Sequence, residues 1–214
     1  YSTPAGKNTI VIVLADHGDG MGSHRMVTKQ VSFYEEMTNV PFIIAGPGIH
    51  PRQKPVEDLL TQPTIDLLPT LCELAGIPVP SSKPGISLAP FLKGEKQKRQ
   101  HPYAASEWHS EYEVTVSPGR MIRSPRYKYT HYLEGNGEEL YDMLKDKGER
   151  RNLAHDPKYS KILAEHRALL DDYIRRTQDD YRSLKVEADK RWRSHAPGYP
   201  NHEGPCARDI INRK

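Results

Sequence analysis

The chain has 214 residues, 36% of them apolar and 28% charged, with 31 basic against 28 acidic side chains. That length allows one large domain or a domain with a small second layer, and a net charge of only +3 excludes the concentrated basic excess of a nucleic-acid binder. No apolar run approaches the ~20 residues of a membrane-spanning helix, so neither nucleic acid nor membrane is an expected partner, and two cysteines, Cys72 and Cys206, make neither a disulfide framework nor a zinc site.

The first strand is expected from Thr9 to Ala15. Its unbroken Ile/Val-rich run suits a strand buried on both faces of a parallel sheet. A polar loop follows from Asp16 to Gln30. A second strand is expected at Phe42 to Ala45, stopped by Gly-Pro-Gly at 46–48. The spacing of Ile65, Leu67, Leu68, Leu71, Leu74 and Ala75 predicts a helix over Pro63 to Ala75, ended by Gly76 in a left-handed cap. Cys72 reads as a small core residue on that helix. A proline-rich loop and a short helical turn between Ser87 and Lys93 follow.

From Pro102 the texture changes to short strands: Tyr103 to Glu107, Gly119 to Arg123, Tyr127 to Tyr132 and Glu139 to Asp142. Ser-Pro-Arg at 124–126 and Gly-Asn-Gly at 135–137 supply turns. Asp156 as N-cap and Pro157 at the first helical position open a helix. It carries Ile162, Leu163, His166, Leu169, Leu170, Tyr173 and Ile174 on one face. The basic clusters at 93–101 and 190–193 read as solvated faces, and the tail from 184 as irregular. The fold class is therefore α/β: part of a parallel sheet with helices over 1–100, a small antiparallel sheet packed on a helix over 101–183, and a tail over 184–214.

The chemistry concentrates where the first strand ends, in Asp16-His17-Gly18-Asp19-Gly20-Met21-Gly22-Ser23-His24-Arg25. Ligands in open parallel sheets bind outside the carboxyl ends of strands. Asp16 and His17 offer an oxygen and an imidazole side by side, although an aspartate there also serves a simple turn. Lys29 follows thirteen residues after Asp16. A cation with an ammonium beside it suits a tetrahedral oxyanion, one oxygen polarised and another neutralised. Asp19 reads as a loop hydrogen-bonder. His24 is weighed evenly between substrate contact and a surface histidine.

The stretch LADHGDGMGSHRMVTKQVSFYEEMTNVPFIIAGPG resembles the sulfatase family of the alkaline-phosphatase-like superfamily. The resemblance continues through QPTIDLLPTLCELAGIPVP, PGISLAPFLKG and ELYDMLKDKGERRNLAHDP, in order and over most of the chain. It implies a sulfuric-ester hydrolase acting on sulfated sugars or aryl sulfates. Asp16 and His17 match metal ligands, Lys29 matches the lysine that contacts sulfate and helps the leaving group, and His24 lies where it could touch substrate. The implied metal is calcium, with magnesium or manganese open because one ligand is a histidine. Tyr34, Glu35 and Glu36 match the family pattern as structural residues. Trp108, His109 and the arginines between Arg120 and Arg126 are candidates to wall the pocket. The resemblance implies export, periplasmic, secreted or lysosomal in type; the residues themselves carry no compartment signal.

The chain departs from the family at the nucleophile. Sulfatases form formylglycine from the first residue of a Cys/Ser-x-Pro/Ala-x-Arg motif, and neither CELAG at Cys72 nor CARDI at Cys206 fits. Two further aspartate ligands of the family lie before the Asp-His-Gly segment, where only fifteen residues stand here. The formylglycine and those ligands are therefore expected outside this chain, in the N-terminal part of a longer sulfatase, and the isolated chain is expected to be inactive. Alternative readings are a phosphodiester or phosphonate monoester hydrolase of the same superfamily, and a non-catalytic sulfatase-like fragment that acts as a binding module.

Overall fold

The computed structural model of the chain describes residues 2–26, 32–57, 59–81, 84–97, 100–108, 118–133 and 137–184. Lys29, His109 and Cys206 lie outside them, as does the tail beyond Leu184. The residues group into two units. One comprises Tyr1–His17 and Asn39–Ala104, the other Gly18–Thr38 and Ala105–Lys214. The loop after the first strand, from Gly18, groups with the second unit.

In the first unit, Thr3 Oγ1 accepts from Gly6 N–H and caps a short helix, α1 (Pro4–Lys7). Strand β1 (Val11–Leu14) pairs with β2 (Phe42–Ala45), Val11 opposite Ala45 and Leu14 opposite Phe42. This pair corrects the expectation of a parallel strand buried on both faces. It is antiparallel, and Val11, Val13, Leu14 and Ile43 keep between 41% and 58% of their surface exposed. A parallel neighbour needs a crossover lying over the sheet; here much of the connecting chain, Gly18–Thr38, belongs to the other unit.

Helix α2 (Glu35–Thr38) belongs to the second unit, whereas helix α3 (Pro63–Ala75) lies in the first and ends as expected. Gly76 takes a φ of 69°, Ile77 N–H reaches Cys72 O at 2.9 Å, and Cys72 is buried. Pro69 inside the helix removes the N–H that Ile65 C=O would accept. The chain at Gly85 fills that gap with its own backbone at φ 112°; a Cβ there would stand 2.1 Å from Ile65 O. Asp66, wholly buried, ties the same region together. It accepts from Gln62 N–H at 2.7 Å and Ile86 N–H at 2.8 Å, and meets His101 Nε2 at 2.8 Å. The expected short turn is α4 (Ala89–Leu92).

The second unit is built on a four-stranded sheet in the order β3 (Ala104–Trp108), β4 (Gly119–Arg123), β5 (Tyr127–Tyr132), β6 (Glu138–Asp142). Strands β4, β5 and β6 pair antiparallel, with Gly119 opposite Tyr132 and Tyr127 opposite Asp142. Asp156 caps a 3-10 turn at Pro157–Tyr159, which leads into α5 (Ser160–Thr177). That helix packs on β4 and β5 and buries Leu163, His166 and Leu170.

His166 pins the hairpin turn to α5. A carbonyl can only accept, so the contact to Ile162 O at 2.8 Å places the proton on Nδ1, and Nε2 accepts from Ser124 O–H at 2.9 Å. Burial pushes the His166 pKa below its ordinary value. The unfolded chain therefore takes up this proton at a higher pH than the folded one. The associated stability is complete above the unfolded value of about 6.5 and is lost as pH falls from there toward the folded pKa. Denaturant titrations from pH 7.5 to 5 should show a loss that His166→Gln removes; an identical pH slope in both proteins contradicts the assignment.

Arg120 is corrected as a pocket candidate. It is buried, doubly bonded to Asp179 (Nε–Oδ2 2.6 Å, Nη2–Oδ1 2.9 Å), and its guanidinium lies 4.4 Å from the centre of the Tyr181 ring. It ties the turn after α5 to β4. Arg126 is held by Asp142 at 2.7 Å, and Arg123 Nε lies 3.8 Å from Glu35.

Candidate functional site

Asp16 and His17 follow β1 directly. Asp16 Oδ1 accepts from His17 N–H at 3.0 Å, and its Oδ2 lies 3.7 Å from His17 Nε2. The aspartate thus serves the local backbone through Oδ1 while Oδ2 faces the imidazole. One carboxylate oxygen closes the local backbone, while the other converges with the imidazole to a separation that one cation can bridge. The side chains are 90% and 42% exposed, so both stay accessible. One oxygen and one nitrogen fit part of a divalent-metal shell; the six or more oxygens of a calcium site require further ligands.

The loop that begins at Gly18 is shaped by close backbone contact. Gly18 N–H reaches Met37 O at 2.9 Å, and a Cβ at Gly18 would stand 1.7 Å from Glu36 O. A Cβ at Gly20 would stand 2.3 Å from Met26 Cβ. Asp19 is the hydrogen-bonder expected of it, accepting from Met21 N–H at 2.9 Å. Met21, His24 and Arg25 all take left-handed φ values, 46°, 49° and 62°, around a single 3-10 turn at Ser23–Arg25. Non-glycine residues pay strain in that region, so surrounding contacts must hold it.

Those contacts come from the segment that ends the loop. The His24 ring stacks on Tyr34 at 3.7 Å with planes 2° apart, and its Nε2 lies 3.8 Å from Glu36 Oε2, leaving 14% of the side chain exposed. Below the stack, Met26, Tyr34, Met37, Tyr141 and Met143 form a buried cluster that seats the loop on β6. Burial, with the nearby Glu139 charge, pushes the Tyr34 phenol well above its ordinary pKa, so it stays neutral. Gly119 on β4 makes room for Phe33, whose ring a Cβ would approach to 2.6 Å.

A buried ion network lies beside this cluster. Lys128 on β5 and Glu149 are each 1% exposed, with Lys128 Nζ 2.9 Å from Glu149 Oε1 and 2.7 Å from Glu35 Oε1. Lys128 Nζ also donates to Phe33 O at 2.8 Å, and Glu149 Oε2 accepts from Glu35 N–H at 2.6 Å. Burial pushes the Glu149 carboxyl up, against the pull of Lys128. Burial also opposes ionisation of Glu36, but the Ser23 hydrogen bond and the His24 and Lys128 charges outweigh it and hold that carboxyl below its ordinary value.

His24, Glu36 and Glu149 bring ligand atoms within 4.8 Å of one another, the kind of group that can hold a metal. The Lys128 ammonium already sits against Glu149, so we read the cluster as an ion network. Tyr34, Glu35 and Glu36 are thus structural, as expected. Sequence reasoning missed Lys128 and Glu149. Lys128 lies within YKYTHY, where alternation assigns it no buried role, and its partner stands 21 positions on.

The family model described as N-sulphoglucosamine sulphohydrolase, C-terminal, matches residues 22–176. A Delta 4,5-hexuronate-2-O-sulfatase of Bacteroides thetaiotaomicron is 77% identical over all 214 residues, which cover 44% of that relative. The solved structure of a 2-O GAG sulfatase superposes with a TM-score of 0.88 at 77% identity, over 98% of this chain and 45% of that one. A phosphonate monoester hydrolase from Silicibacter pomeroyi superposes with a TM-score of 0.70 at 28% identity, over 83% of this chain and 37% of that one. The chain therefore spans less than half the length of each of these proteins.

Proposed function

Because this chain belongs to the sulfatase family, we propose that it forms the C-terminal part of a sulfuric-ester hydrolase that removes the 2-O-sulfate from hexuronate-containing sugars. The observation that carries the reading is the 77% identity, sustained across all 214 residues, to a relative named for that substrate. The exposed apolar side chains of β1 and β2 support a longer protein, since a two-stranded ribbon with bare faces is not stable by itself.

In this reading Asp16 and His17 hold a divalent metal, calcium with magnesium or manganese as alternatives. When bound, the ion supplies Lewis-acid polarisation of a sulfate oxygen. Lys29 neutralises a second sulfate oxygen and steadies the charge that develops on the leaving oxygen. The nucleophile, a formylglycine hydrate, and the remaining ligands come from the rest of the protein. His24 has most of its ring committed to Tyr34, so its exposed edge is what remains to face a substrate.

The phosphonate monoester hydrolase reading rests on the similarity at 28% identity. Matched aryl sulfate, aryl phosphate and phosphonate monoester substrates, offered to the longer protein, separate the two. Sulfate release in excess is expected, and phosphonate turnover without sulfate release favours the alternative. The 214 residues alone should turn over none of them.

A further inference from the structure

We propose that Glu149 and Lys128 are positioning residues for loop residues 18–26 and 32–38: they fix these on the C-terminal sheet and so set how His24 is presented. The inference rests on the sulfatase reading above and deepens it. Three observations carry it.

The network reaches the loop through its backbone as well as its side chains. Glu149 Oε2 accepts from Glu35 N–H and Lys128 Nζ donates to Phe33 O, so the main chain at residues 33–35 is clamped from both sides. These anchors stand 114 and 95 residues from their partners, and no local turn chemistry could supply them. Next, the clamp extends to the strained part of the loop. Residues 34–37 carry Tyr34, on which His24 stacks, and Met37, whose carbonyl holds Gly18 N–H. Moving residues 33–35 moves both ends of the stretch that holds Met21, His24 and Arg25 at positive φ. Finally, Glu149 is itself strained, at φ 47°. Strain of this kind persists where the surroundings over-determine a residue, and it concentrates at working sites. A surface turn has no need of a buried, left-handed glutamate, whereas a clamp has.

His24, with its exposed edge, is the candidate substrate contact that these residues carry. A misplacement of about 1 Å in a reacting constellation costs roughly a hundredfold in rate. The two residues touch no reacting atom and act through the loop.

The test uses the longer protein and compares two variants of the same unit. Glu149→Gln keeps an oxygen for Glu35 N–H and leaves Lys128 its Glu35 partner, so the fold is retained while the clamp loses its charge. Asp179→Asn weakens the Arg120 pair, which makes none of these loop contacts. Per folded molecule, Glu149→Gln is expected to lower kcat for sulfate release by roughly 10–100-fold with KM changed less than about threefold, and to speed amide exchange at Glu35 and Gly18. Asp179→Asn is expected to lower the melting temperature and leave kcat within about twofold. If both variants keep the wild-type kcat and the Glu149→Gln amides exchange at the wild-type rate, the positioning role is overturned. If wild-type protein releases no sulfate, the functional reading fails by itself, and the exchange comparison still decides whether this pair holds the loop.

Discussion

Lys128→Met is expected to destabilise the protein by about 3–5 kcal/mol at neutral pH, the range for removing one partner of a buried ion pair. Methionine fills a similar volume, so little of the loss is a cavity. What remains is Glu149, 1% exposed, with its carboxylate no longer faced by an ammonium. Glu35 loses the same cation but keeps a quarter of its side chain in solvent and has Arg123 at 3.8 Å. The loss should depend on pH in a definite direction. Burial already raises the Glu149 pKa above its unfolded value, and removing Lys128 raises it further. A raised carboxyl pKa is a penalty that grows as pH rises from the unfolded value toward the folded one. The variant should therefore lose more stability relative to wild type at pH 8 than at pH 5, where Glu149 escapes by taking up a proton. Urea denaturation at the two pH values measures this. A loss under about 1 kcal/mol at both would show that the pair is as weak as one on the surface.

Lys29→Met, made in the longer protein, is expected to lower kcat for sulfate release by about 10²–10³-fold, as removal of one preorganised charge stabiliser does. If Lys29 acts on charge that develops during reaction, KM should move little. If it only holds the sulfate in the ground state, KM rises and kcat stays.

Some of this architecture was legible because short-range signals encode it. Strand β2, helix α3, β4 and β5 lie where turn residues and periodicity place them, and Gly76 ends its helix in the left-handed cap that its position implies. Cys72 and the buried face of α5 follow from the 3.6-residue period. The neighbours of β1 were not legible. An apolar run shows that a strand wants cover, but it does not say whether the covering strand is parallel or which segment supplies it. At the candidate site, Asp16 and His17 stand out as adjacent ligand types, and their side chains do converge. The support beneath the loop was hidden for a physical reason. Tyr34, Met37, Tyr141 and Met143 form one cluster only after the chain has travelled about a hundred residues, and a lysine in a strand reads as solvent-facing until a buried glutamate is known to wait for it.

Inorganic sulfate is to be measured after the longer protein, with calcium supplied, is incubated with a disaccharide whose unsaturated hexuronate carries a 2-O-sulfate. The same disaccharide sulfated only on its hexosamine serves as the comparison. Stoichiometric sulfate release is expected from the first and a rate lower by at least about 100-fold on the second. Release from neither, or equal release from both, would contradict the 2-O-sulfatase reading.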